Sequence, residues 1–322
     1  MRIYLGFDIG GTKCTAVLGV LDADGKMEVR SRDIWLTADG EGPVGNIRRF
    51  VASAKRMLAE NQADEDAVCG IGIVCGGPLD SRAGIIQSPP NLPGWDDVHI
   101  VEMLREEFPS CPRVALENDA NADAVAEWRY GAGVGTRNMI FITFGTGCGA
   151  GLILDGRLYS GTNGNAGECG HIRIAPYGPV GFGKAGSMEG FCSGAGIAKL
   201  GEMRALEVIQ MGGKVSWYSA QRPASAKDIA MAAAEGDELA LKIYAECGTR
   251  LGEALAVLID ILNPEAIVIG SVFQRSESLI RPSMEKALAG EALGCAARVC
   301  RVLPAKLGDN LGEFAALAMA QE

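Results

Sequence analysis

Two segments of this 322-residue sequence are built to one plan. Residues 3–9 form an apolar run that stops at Gly10-Gly11 and resumes over 14–20. Residues 139–144 form another, which stops at Gly145-Thr146-Gly147-Cys148-Gly149 and resumes over 150–154. An apolar run, a glycine turn and a second apolar run predict a β-hairpin. Each hairpin is then turned again by Asp-Gly, at Asp24-Gly25 and at Asp155-Gly156. Recurrence at a spacing of about 135 residues predicts a duplicated lobe rather than one continuous sheet, with two unrelated hairpins as the alternative. Length agrees, since roughly 150 residues per domain makes about two domains.

Elsewhere strands alternate with helices. Residues 44–61 have helical spacing, and 67–75 form a short, fully apolar strand closed by Gly76-Gly77-Pro78. The Pro- and Gly-rich stretch 88–95 predicts a structured loop leading into an amphipathic helix over about 97–107. A strand over 113–117 ends at Asn118-Asp119-Ala120-Asn121, which caps a helix running to Tyr130. Beyond 195 the chain is mostly Ala-rich helix, broken by a strand at 266–269 that ends in Gly270-Ser271. A small-residue helix begins at Leu311. This alternation predicts an α/β protein.

Composition excludes several functions. Thirty Lys and Arg against 40 Asp and Glu leave a net charge of −10 with no basic run, which argues against nucleic acid and anionic membranes as partners. No stretch of about 18 apolar residues is present to span a bilayer. The first apolar run is interrupted by Asp8 and is too short for a signal peptide. Ten scattered Cys with no C-x-x-C pair read as reduced, mostly buried thiols, so a cytoplasmic location is expected. His99 and His171 are the only imidazoles, which removes most Ser-His-Asp triads and multi-His metal sites.

The chemistry concentrates at the turns. Asp8-Ile9-Gly10-Gly11-Thr12-Lys13 sets a carboxylate at a strand end and glycines in the turn, so that backbone N–H groups can face an anion and Asp8 can hold a hydrated Mg²⁺. Gly145, Thr146 and Gly147 repeat that chemistry, and a nucleoside triphosphate gripped by two lobes needs one such loop from each. Asp119 stands where a strand ends and a helix begins, where an anion is stabilised; Asn118-Asp119 also reads as a plain helix cap. Glu168 and His171, bracketed by glycines, and Glu189 suit a sugar, whose hydroxyls donate and accept at once; a surface loop with one structural His is the alternative. Two decoys fail. Gly178–Ala185 nearly spells a P-loop but has Ala185 where Ser or Thr would bind Mg²⁺, and Gly181-x-Gly183-x-x-Gly186 lacks a preceding strand.

Together these motifs resemble the ROK family of sugar kinases and sugar-responsive repressors. Matches run in family order through Asp8–Lys13, Gly77-Pro78-Leu79-Asp80, Glu117–Asn121, Gly145–Gly149, Gly167–His171 and Asn263-Pro264…Gly270. The resemblance implies a two-lobed ribonuclease H-like (actin-like ATPase/hexokinase) α/β fold with the active site in the interlobe cleft. Its small lobe would be 1–117, completed by a helix over about 305–322, and its large lobe 118–304. It implies an ATP- and Mg²⁺-dependent kinase acting on a hexose, usually at the 6-OH. Glucose is the first choice, with N-acetylmannosamine, N-acetylglucosamine, allose, mannose and fructose as alternatives, and polyphosphate as an alternative donor. Asp119 would be the base. Asn118, Glu168, His171 and Glu189 would hold the sugar. Asp8, Gly10, Gly11, Thr12, Lys13, Gly145, Thr146 and Gly147 would hold phosphates and metal, with Gly270 beside the adenine. A homodimer is also implied. A non-catalytic sugar-sensing regulator is the reading of another class, disfavoured because the first loop begins at residue 8 and leaves no room for a DNA-binding helix-turn-helix.

One departure from the family is large. Members commonly hold a structural zinc with the His of Glu-x-Gly-His and three Cys of C-x-C-G-x-x-G-C. Here that stretch reads Val180-Gly181-Phe182-Gly183-Lys184-Ala185-Gly186-Ser187, with no thiol. No structural zinc is expected, since Cys169 and Cys192 with His171 would leave a ligand missing. Val180 and Phe182 are expected to replace the metal with apolar packing.

Overall fold

The first glycine turn does what its residues require. Strands Arg2–Ile9 and Lys13–Leu21 pair antiparallel with Ile9 opposite Cys14, and Met27–Leu36 continues the sheet outward. On the other side Val68–Cys75 and then Val114–Asn118 add in parallel, so Arg2–Ile9 is the central strand of five. The computed structural model describes residues 2–322. Within it, Leu5, Phe7, Ile71 and Ile73 are wholly buried. A parallel strand covered on both faces reads as a continuous apolar run, which explains the unbroken pattern. Helix Pro43–Glu60 contributes Ile47, Phe50 and Ala54 to one core, with the Phe50 ring tilted against Phe7 and edge-on to Trp35.

Helix Leu311–Met319 covers the opposite face at backbone contact. A Cβ on Gly72 would stand 2.0 Å from the Ala316 carbonyl oxygen, and one on Gly70 would stand 2.1 Å from that of Ala320. Gly72→Ala should therefore push the helix off the sheet and cost about 3 kcal/mol in urea denaturation. A loss under about 1 kcal/mol would show that this seam can yield.

The second hairpin builds the second sheet in the same order. Met139–Phe144 is central, Cys148–Leu154 and Arg157–Leu158 lie antiparallel on one side, and Ala266–Ile269 and Arg301–Pro304 lie parallel on the other. Duplication thus extends from the hairpin to the whole five-stranded sheet. Its core is closed by helices Gly194–Gln210, Glu238–Leu262 and Val272–Glu291, through Ile197, Leu251, Ile259, Phe273 and Met284.

One compact unit takes the residues through Gly135 with Ser160–Gly164 and Lys306–Glu322; the other takes Thr136–Tyr159 and Asn165–Ala305. Helix Asp119–Tyr130, expected in the second lobe, therefore falls in the first. It packs on Leu311–Met319, with the Tyr130 and Phe314 rings 5.6 Å apart and Arg129 paired to Glu322. Among the described residues no helix is long and apolar enough to cross a membrane.

Candidate active site

In the first unit the candidate residues gather at the carboxyl ends of three adjacent parallel strands, the edge at which α/β sheets place ligands. Asp8 is the penultimate residue of Arg2–Ile9, Gly76 follows Val68–Cys75, and Asp119 follows Val114–Asn118. The Gly10–Lys13 turn is held open by Thr37, whose Oγ1 donates to the Gly10 carbonyl (2.6 Å) and whose N–H donates to that of Thr12 (3.0 Å). Gly11, Thr12 and Lys13 are exposed. Gly11 lies so close to Asn91 that a Cβ would meet its carbonyl at 2.7 Å, fixing the 88–95 loop beside the turn. Asn118 is the cap its sequence position suggests: its Oδ1 accepts from the Ala120 N–H at 3.0 Å, and Asp119 Oδ1 accepts from the same group at 2.8 Å. Asp119 is exposed.

Electrostatics tie these carboxylates together. Burial pushes the Asp8 carboxyl up to about 6; Lys13 pulls it back, while the Asp119 and Glu313 charges add to the rise. Asp123, one turn beyond Asp119, is pushed well up by burial and then by the Asp119, Asp8 and Glu127 charges. The sequence reading missed Asp123, although its i,i+4 spacing from Asp119 places both on one helix face.

For Asp8 the sign is definite. Its folded value of about 6 lies above the ordinary aspartate value of about 4, so ionisation costs the fold stability as pH rises through that window. Asp8→Asn should thus stabilise the ligand-free protein at pH 8 by at most about 3 kcal/mol, lose that gain below about pH 4, and abolish turnover. Parallel urea titrations of both proteins at the two pH values check this.

In the second unit the glycine turn after Met139–Phe144 is tied to neighbouring elements. Gly145 N–H donates to the Gly147 carbonyl (3.1 Å), and the Gly145 carbonyl accepts from Gly194 N–H (2.7 Å) at the start of helix Gly194–Gln210. Glu189 lies against this turn: its Oε2 accepts from Cys148 N–H at 3.1 Å and would be 2.9 Å from a Cβ on Gly147. The structure thus places Glu189, expected among sugar ligands, in contact with the phosphate-type loop. Glu168 and His171 bracket a short 3-10 turn, and both are exposed. Gly170 packs its backbone on the Cys148 carbonyl, where a Cβ would come within 2.1 Å. Gly270 ends Ala266–Ile269, and its N–H donates to the Ile142 carbonyl (3.0 Å).

The segment lacking the family cysteines is not filled by apolar packing. Val180 is 44% exposed and Phe182 80%, so the expected substitution of metal by buried side chains is corrected. Instead Val180–Gly181 and Lys184–Ala185 form a two-stranded ribbon with Phe182-Gly183 at its tip. Hydrogen bonds anchor it: Lys184 Nζ to the His171 carbonyl (2.6 Å), Arg173 to that of Ala185 (2.7 Å), Lys199 Nζ to that of Val180 (2.7 Å), and Ile174 N–H to that of Gly186 (2.9 Å). A ribbon closed by backbone bonds needs no core of its own. Cys169 packs beside Cys148 and Cys192 beside Cys247, all buried. Among the described residues no group of three or more His, Cys, Asp or Glu is placed to hold a metal ion.

Each unit carries an anion-type glycine turn beside the central strand of its sheet, and the first unit adds a carboxylate at the mouth of a helix. The sequence matches the ROK family over residues 4–322, and the chain belongs to that family. A glucokinase of Halalkalibacterium halodurans is 34% identical over 284 residues, covering 87% of this chain and 84% of that one. An N-acetylglucosamine repressor of Escherichia coli O6:H1 is 30% identical over 77% of this chain and 57% of its own. A ROK-family glucokinase of Streptomyces griseus, solved with glucose and AMPPNP, superposes with a TM-score of 0.71 at 28% identity, over 99% of both chains.

Proposed function

We infer that the protein is an ATP-dependent sugar kinase transferring a phosphoryl group to a hexose hydroxyl, the 6-OH of glucose being the first choice. The observation that carries this is the placement of Asp8 and Asp119 at the same edge of one sheet, at the ends of two parallel strands with Val68–Cys75 between them, close enough for the Asp119 charge to raise the Asp8 carboxyl. A kinase needs that pairing: one carboxylate to receive a proton, another to hold a metal. Phosphoryl transfer is mostly positioning and electrostatics. Asp119 orients the attacking hydroxyl and accepts its proton as the bond from that oxygen to the γ-phosphorus forms and the bond from the γ-phosphorus to the departing ADP oxygen breaks. The exposed Gly10–Lys13 turn offers N–H groups and an ammonium to phosphate oxygens, and Asp8 suits Mg²⁺ through water. Mg²⁺, when bound, neutralises charge on the triphosphate. In the second unit the Gly145–Gly147 turn offers a matching phosphate cradle, Glu168 and His171 offer hydroxyl partners, and Gly270 borders the adenine. The glucokinase relatives support glucose.

The test is ADP release with Mg-ATP across hexoses and N-acetylhexosamines. Sugar-dependent turnover on one member names the substrate. Silence, with a sugar still raising the melting temperature, would replace the kinase with a sugar sensor.

A further inference from the structure

Phe182 is placed where an apolar side chain has no structural reason to be. It is 80% exposed and sits at the tip of the Val180–Ala185 ribbon at φ 40°, followed by Gly183 at φ 75°. Two successive positive φ values are those of the tight hairpin turn that favours Asn-Gly, and a bulky residue at the first position is strained. Strain at an exposed side chain points to a use outside the fold. The ring is directed at one target: it meets the His171 imidazole edge-to-face, centroids 5.6 Å apart at 73°. The ribbon holds the two in register, because Lys184 Nζ grips the His171 carbonyl while Arg173 grips the Ala185 carbonyl.

We propose that Phe182 is a sugar-contacting residue that also orients His171, its ring fixing the imidazole and presenting its open face to the C–H side of a hexose. This rests on the reading of His171 as a sugar ligand. An exposed imidazole with no partner on its ring would rotate freely. An aromatic edge contact restricts it without metal, and an aromatic ring gains by covering the apolar face of a pyranose. The ribbon therefore restrains the imidazole by an edge-to-face ring contact, and the strain at Phe182 is what the turn bears to keep an aromatic there.

The experiment compares Phe182→Ala, Phe182→Tyr and Phe182→Asn with the full-length wild type on its best sugar. Phe182→Ala should raise KM for the sugar about tenfold, with kcat and the KM for ATP within about twofold. Phe182→Tyr should restore the sugar KM, since it keeps the ring. Phe182→Asn should raise the melting temperature, because Asn suits the turn, while keeping the weak sugar KM of the Ala variant. An unchanged sugar KM in Phe182→Ala overturns the proposal, as does a loss spread equally over sugar, ATP and melting temperature. If the wild type shows no turnover, the kinase reading fails separately. The sugar-induced melting shift then decides: its loss in Phe182→Ala and return in Phe182→Tyr uphold the proposal, and its absence or persistence overturns it.

Discussion

Asp119→Ala should reduce turnover by about three orders of magnitude or more while leaving the melting temperature within a few degrees of wild type. The side chain is exposed and its helix keeps a cap, since Asn118 Oδ1 also accepts the Ala120 N–H. Sugar binding, followed by calorimetry without nucleotide, should persist. Asp119→Asn should be nearly as inactive, because an amide orients the hydroxyl but cannot take its proton. Retention of more than a few per cent of the rate in either variant removes Asp119 as the base.

The largest stability effect is expected at Glu127. This carboxylate is wholly buried at the far end of the same helix. Its Oε1 accepts from the backbone N–H groups of Lys306 and Leu307, each at 2.8 Å, and its Oε2 accepts from Ala132 N–H at 2.7 Å. Gly131 packs against it so closely that a Cβ would stand 1.9 Å from Oε2. Glu127→Ala leaves three part-buried backbone donors without their acceptor and a void where the buried side chain was, and should cost about 3 kcal/mol in urea denaturation. Glu127→Gln keeps the shape but turns one acceptor into a donor facing another N–H, so it should lose a smaller share. Equal losses in both would assign the effect to charge; no loss in either would mean water replaces the carboxylate.

Much of this was legible in the sequence because the signals were local. Apolar runs ending in glycine gave Met139–Phe144 and Ala266–Ile269 at the bounds read from the pattern, and strand ends marked Asp8 and Asp119. What escaped depends on partners remote in sequence. Arg301–Pro304 is four half-exposed residues with no periodicity, made a strand by pairing with Ala266–Ile269. Glu189 binds an N–H 41 positions away, a contact no spacing rule reveals. The ribbon departs from expectation because Val180 and Phe182 are apolar and so resemble core, while backbone bonds to 172–175 and the Lys184 bond to the His171 carbonyl decide its shape. The division after Gly135 escaped for the same reason, since helix Asp119–Tyr130 is claimed by the chain's last helix.

That last helix has a consequence for manufacture. The sheet begun by Arg2–Ile9 leaves the ribosome long before the helix that covers Gly70 and Gly72. Through most of translation the oldest sheet carries an open apolar face, while the second unit, nearly continuous in sequence, has all its parts in hand by Ala305. Domains fold as their chain becomes available. The unit begun earlier is thus completed later, and the nascent protein has to shield that face until helix Leu311–Met319 arrives.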